Sequence, residues 1–137
     1  MMKVADIMTD HVETLDPDDD IDLASMIMRL DRLRHLPVVQ DGRLLGIISD
    51  RDILKAQQSS LSGASKEESR RFNMRIKARD IMTKKVETVT PEASALEAAE
   101  ILRERGYGCL PVMKDGTVIG IVTPTDFLNL VVQLLLR

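Results

Sequence analysis

Residues 46–54 read GIISDRDIL, and residues 120–128 read GIVTPTDFL. Both follow one pattern: Gly, two β-branched residues, a hydroxyl residue, two variable positions, Asp, then two apolar residues. The phrases lie 74 positions apart, and the same shift aligns much of the chain. DIMTDHVETLDP (6–17) falls on DIMTKKVETVTP (80–91) with 8 of 12 residues identical. LPVVQDGRLLGIISDRDIL (36–54) falls on LPVMKDGTVIGIVTPTDFL (110–128) with 9 of 19 identical. No gap is needed, so the chain is an internal duplication. Two copies are too few for a solenoid; they suggest a pseudo-symmetric pair in which each copy buries a face of the other.

Each copy reads as strand, helix, strand, strand, helix. HVETL (11–15) and KVETV (85–89) read as short strands. Asp16-Pro17-Asp18 and Thr90-Pro91-Glu92 read as helix openings, with a capping residue, Pro at the first helical position and acid in the first turn. Ile21, Ala24 and Met28 share one helical face, as do Ala95, Ala98 and Leu102. The apolar runs around Asp41-Gly42 and Asp115-Gly116 predict β-hairpins, and a second helix follows each. The divisions are a first repeat over 1–55, a linker over 56–76 and a second repeat over 77–137. The first half of the linker is Ser/Gly/Gln-rich and reads as a loop. Ser65 with Glu68 signals a capped helix start, so the linker is either mobile or partly helical.

Composition narrows the function classes. The 137 residues are 44% hydrophobic and 2% aromatic, without Trp, so the core is aliphatic. A formal net charge of −3 argues against a nucleic-acid partner, which needs a basic patch. The single cysteine, Cys109, permits no intrachain disulfide and no thiolate metal cluster. The N-terminus holds no long apolar stretch. The apolar C-terminus FLNLVVQLLLR is interrupted by Asn129 and Gln133 and falls short of the roughly 20 residues of a membrane span. The expectation is a cytoplasmic protein with no membrane partner. His11 and His35 are not spaced as metal ligands, and no Ser-His-acid or Cys-His set, Walker loop or GxGxxG stands out. No catalytic or metal site is expected, and the protein is read as not an enzyme.

Ser49-x-x-Asp52 and Thr123-x-x-Asp126 have a structural reading. A hydroxyl at the N-cap with an acid three residues on is a capping box, and Pro124 fits the first helical position. Such boxes prefer Glu or Gln, however, and Asp stands here twice. A carboxylate at a helix N-terminus also suits the paired hydroxyls of a ribose, and the helix end favours a phosphate.

The ordered motifs DIMT…V-x-T-x-x-P, LPV…DG…G and G-apolar-apolar-[ST]-x-x-D resemble the cystathionine β-synthase (CBS) domain, in tandem as a Bateman module. The resemblance covers nearly everything outside the linker. It implies an α/β (α+β) fold, two pseudo-symmetric β-α-β-β-α repeats packed sheet to sheet, with two clefts between them. It implies a regulatory module that needs no cofactor and binds an adenine nucleotide (AMP, ADP or ATP) to modulate a partner protein as yet unknown. The alternatives are a ligand-independent interaction or dimerisation module, or an S-adenosylmethionine or metal sensor.

The resemblance also maps the clefts. Ser49, Asp52, Thr123 and Asp126 become ribose ligands. Asp52 would face an adenine pocket of Thr90, Ala95, Tyr107 and Cys109. Asp126 would face Asp16, Ile21, Leu33, Arg34 and His35. Asp16 and Ile21 crowd the second pocket, so the first is the better adenine site. Tyr107 covers the base or only packs, and Cys109 reads as a packed thiol. Arg34 and His35 precede LPV, where nucleotide-binding members carry phosphate-binding basic residues; Arg34 reads equally as a solvated helix end. Arg51 is a further phosphate candidate, and its counterpart is Thr125. The final helix is apolar nearly all round, which predicts a homodimer through the helices after both [ST]-x-x-D phrases. The alternatives are docking on another protein or folding back.

Overall fold

The computed structural model describes residues 1–58 and 65–137. The loop reading of residues 59–64 lies outside the described residues. The elements are α1 (Val4–Ile7), α2 (Ile21–Asp31), β1 (His35–Gln40), β2 (Arg43–Ser49), α3 (Asp50–Gln58), α4 (Lys66–Arg75), α5 (Ala78–Ile81), α6 (Ala95–Arg105), β3 (Leu110–Lys114), β4 (Thr117–Val122) and α7 (Pro124–Leu135). The fold is α+β, with two repeats and a two-stranded antiparallel sheet in each.

Both hairpins turn on Asp-Gly as the sequence predicts. Asp41 and Asp115 take φ of 51°, and Gly42 and Gly116 take 78°. Two consecutive left-handed residues match the twist of a tight hairpin. A register shift follows Val38 in the first hairpin and Val112 in the second.

The chain divides into two compact units that do not follow the repeats. One is Glu13–Lys85; the other joins Met1–Val12 to Val86–Arg137. In the first unit the segment leading the second repeat docks beside the first helix and hairpin. Ala78 and Arg79 donate N–H bonds to the carbonyls of Asp19 and Pro17 (2.8 and 3.0 Å), and Thr83 exchanges backbone bonds with Ile47. The other unit repeats the arrangement with the segment leading the first repeat. Val4 and Ala5 donate to the carbonyls of Ala93 and Pro91 (2.8 and 3.0 Å), and Thr9 exchanges bonds with Ile121.

That docking corrects two sequence expectations. HVETL and KVETV are not strands of either sheet. Each is reduced to one parallel bridge, Leu15 to Val38 and Val89 to Val112. The helices do not open at Pro17 and Pro91 either. Those prolines are buried in a turn, and their carbonyls already accept from the docked segment. The caps fall later. Asp20 Oδ1 accepts from Leu23 N–H (2.9 Å), and Ser94 Oγ accepts from Glu97 N–H (3.0 Å). Asp16 stabilises the turn instead, its Oδ1 accepting from Asp18 N–H at 2.9 Å.

The cores are aliphatic, as the composition requires. Leu15, Ile21, Ala24, Met28, Leu36, Val38, Ile48, Ile53 and Ala78 cluster in one unit. Val4, Val89, Ala98, Leu102, Leu110, Val112 and Val122 cluster in the other. Helix α4 begins where Ser65 and Glu68 predicted it, with Ser65 Oγ accepting from Glu68 N–H at 3.1 Å. Its buried Asn73 accepts a bond from Gln57 of α3 at 3.0 Å, which ties the two helices.

Candidate functional site

The two [ST]-x-x-D phrases sit where a strand ends and a helix begins. In the first unit Ser49 closes β2, and Asp52 lies in the first turn of α3. The box is complete: Ser49 N–H donates to Asp52 Oδ2 (2.9 Å), and Asp52 N–H donates to Ser49 Oγ (3.1 Å). Asp52 Oδ1 accepts no hydrogen bond from the described residues. The carboxylate is half-buried in the first turn of α3.

In the second unit only half of the box is made. Thr123 N–H donates to Asp126 Oδ2 at 2.8 Å. Asp126 N–H instead reaches the Thr123 carbonyl (3.0 Å), and the Thr123 hydroxyl makes no cap bond. That hydroxyl lies 3.5 Å from Asp126 Oδ2. The expectation that both hydroxyls cap their helices therefore holds for Ser49 and fails for Thr123. Asp126 Oδ1 accepts from the Thr9 hydroxyl at 3.1 Å.

The residue before LPV lies beside its own repeat's carboxylate. His35 stands opposite Ser49 in the hairpin register. Burial lowers its pKa below the ordinary 6.5, against the opposing pull of Asp50 and Asp52 and with a smaller contribution from Arg34. Cys109 is buried beside Asp126. Burial first, then the Asp126 charge, pushes its thiol up to about 12. It is therefore protonated at neutral pH, which fits the expected packed thiol rather than a nucleophile.

The remaining candidates fall as follows. Arg34 and Arg51 are exposed, and neither ion-pairs with a described residue. Leu33 and Tyr107 are half-buried, and both pack against their unit's core. Thr90 is exposed. Ala95 is buried, with its N–H bonded to the Met2 carbonyl (2.9 Å). Ile21 is wholly buried in the core. Within one unit the structure brings together Ser49, Asp52, His35, Arg34 and Arg51. Within the other it gathers Thr123, Asp126 and Cys109. The sequence reading assigned no part to Thr9. The repeated DIMT puts Thr9 and Thr83 at equivalent positions, so no local signal in the sequence sets Thr9 apart.

Among the described residues no cluster of His, Cys, Asp or Glu could hold a metal ion. No described helix is long and apolar enough to cross a membrane.

The structure is thus a duplicated α+β unit with a carboxylate at the start of the helix that follows each hairpin. The chain belongs to the CBS domain family: the family model matches residues 4–59 and again 78–133. That family is generally regulatory rather than catalytic. A CBS domain-containing protein of Dictyostelium discoideum is 34% identical over 135 residues, covering 96% of this chain and 92% of that protein. A homoserine O-acetyltransferase of Methanococcoides burtonii is 33% identical over 130 residues, and there the match spans 24% of the relative's length. Among solved structures, CBSX2 in complex with AMP matches with a TM-score of 0.80 at 25% identity over 98% of each chain. The CBS domain pair of MJ0100, in complex with 5′-methylthioadenosine and S-adenosyl-L-methionine, matches with a TM-score of 0.82 at 27% identity over 97% of this chain and 98% of that one.

Proposed function

We propose that this chain is a regulatory module that senses an adenine nucleotide at the carboxylates of its two [ST]-x-x-D phrases. The observation that carries the reading is Asp52. Its carboxylate is anchored through Oδ2 alone and keeps Oδ1 for a donor that the described residues do not supply. A ribose diol supplies that donor. Arg34 and Arg51, which ion-pair with no described residue, favour a phosphorylated ligand over cationic S-adenosylmethionine. The complexes of CBSX2 with AMP and of MJ0100 with S-adenosylmethionine place both ligand classes among the compounds to test.

The apolar stripe of α7 supports a homodimer. Leu128, Val131, Val132 and Leu135 share one helical face, and each is at least 46% exposed. A surface of this kind is rare on a soluble monomer. A monomer by light scattering at micromolar concentration would remove the dimer from the reading.

Titration calorimetry with AMP, ADP, ATP, NADH and S-adenosylmethionine tests the ligand. An adenine nucleotide is expected to bind. Asp52→Ala is expected to weaken it by about 1.5–3 kcal/mol, the range for a hydrogen bond to a charged group. No heat with any of these compounds would overturn the reading.

A further inference from the structure

We infer that Thr9 sets the inequality of the two carboxylate sites by occupying Asp126 with a hydroxyl from the chain itself; this rests on the ligand-sensing reading above.

The duplication supplies an internal control. Thr9 and Thr83 close the same DIMT motif. Each exchanges two backbone hydrogen bonds with the residue after a glycine: Thr9 with Ile121 (both 2.9 Å), Thr83 with Ile47 (3.0 and 2.9 Å). Backbone placement is therefore matched. The side chains are not. The Thr9 hydroxyl donates to Asp126 Oδ1 at 3.1 Å, whereas no such bond joins Thr83 to Asp52. The caps differ in the same sense. Ser49 is consumed by the helix cap, while Thr123 leaves the cap and turns to Asp126 Oδ2. Among the described residues Asp126 thus has a donor on each oxygen, and Asp52 has one donor on one oxygen.

A carboxylate oxygen has two acceptor positions, so the Thr9 bond does not seal Asp126. It removes the position that a ribose hydroxyl would otherwise take without competition. A ligand entering there must displace the Thr9 hydroxyl or share the oxygen with it. The neutral hydroxyl is thus an intramolecular competitor for a diol, and Thr9 acts through Asp126 as a specificity-determining residue.

The test isolates each site. In an Asp52→Ala background the Asp126 site is titrated with the nucleotide that binds the wild-type chain. Thr9→Val keeps the shape of the exposed Thr9 and removes its donor. It is expected to tighten nucleotide binding about tenfold, the equivalent of one modest hydrogen bond. Thr9→Ser restores the hydroxyl and should return the affinity to its starting value. In an Asp126→Ala background, Thr83→Val should leave the Asp52 site unchanged. Unchanged or weaker binding in Thr9→Val, or the same gain in Thr9→Ser, overturns the inference while leaving the ligand-sensing reading intact. Absence of binding to the wild-type chain overturns that reading instead.

Discussion

Ser49-x-x-Asp52 and Thr123-x-x-Asp126 spell the same phrase and do different things. In the first, hydroxyl and carboxylate cap each other. In the second, the hydroxyl leaves the cap, and Thr9 reaches the carboxylate from 117 residues away. A duplicated motif therefore fixes where a carboxylate stands without fixing what it is free to bind. Its remaining capacity depends on the segment docked beside it.

The largest expected difference between the units concerns the glycine that opens each phrase. A Cβ on Gly46 would lie 2.6 Å from the Thr83 carbonyl and 2.9 Å from the Met82 sulfur. That carbonyl is held by Ile47 N–H, so it cannot withdraw without breaking the bridge. At Gly120 the nearest atom, at 2.7 Å, is the Met8 sulfur, with the Thr9 carbonyl at 2.9 Å. Ile121 N–H holds the Thr9 carbonyl in the same way, but at 2.9 Å instead of 2.6 Å that carbonyl needs the smaller shift, and a thioether swings aside more easily than a backbone. Gly46→Ala is expected to cost about 3 kcal/mol and Gly120→Ala about 1–2 kcal/mol, within the range for overpacking. Urea denaturation midpoints measure both, and equal losses would erase the distinction.

A smaller difference lies at the ends of α2 and α6. The first repeat places Arg32 in the left-handed conformation at φ 56°, where the second has Gly106 at 67°. A side chain there carries a cost of about 1–2 kcal/mol that glycine avoids. Arg32→Gly should raise stability by about 1 kcal/mol, and Gly106→Ala should lower it by a similar amount. Changes of opposite sign are the expected outcome, and a loss of stability in both variants would contradict it.

The smallest effect is expected from pH. His35 has a folded-state pKa below 6.5 because burial opposes its charge. Between that lowered value and 6.5 the unfolded chain binds more protons, so stability rises with pH through this window. It falls as acid protonates the unfolded state first. The counterpart Cys109 titrates near 12 and contributes nothing there. His35→Gln should flatten the stability profile just below pH 6.5 relative to the unmodified chain, whereas Cys109→Ala should keep the slope. A wild-type profile flat over that interval would contradict the assignment.

Much of this was legible in the sequence. The Asp-Gly turns, the faces Ile21–Ala24–Met28 and Ala95–Ala98–Leu102, and the Ser65 cap are local signals, and all appear. What could not be read depends on distant partners. Pro17 and Pro91 look like helix openers until α5 and α1 take their carbonyls. HVETL and KVETV have strand composition but only one residue's worth of partner. The positions of Ser49, Asp52, Thr123 and Asp126 followed from the motif. The Thr9 bond did not, because nothing near Thr9 in the sequence distinguishes it from Thr83.

The docking of α1 bears on how the protein is made. The unit Glu13–Lys85 is one uninterrupted stretch and has all its parts once Lys85 has left the ribosome. The other unit needs Met1–Val12, synthesised before that stretch, and Val86–Arg137, synthesised after it. At about 5–20 residues per second, the opening segment spends several seconds without the hairpin that it will join. During that interval Val4, fully buried in the finished protein, is exposed to water or to a chaperone. Vectorial synthesis therefore orders the two units: the one carrying Asp52 has all its parts first, and the one carrying Asp126 closes after residues 86–137 have followed.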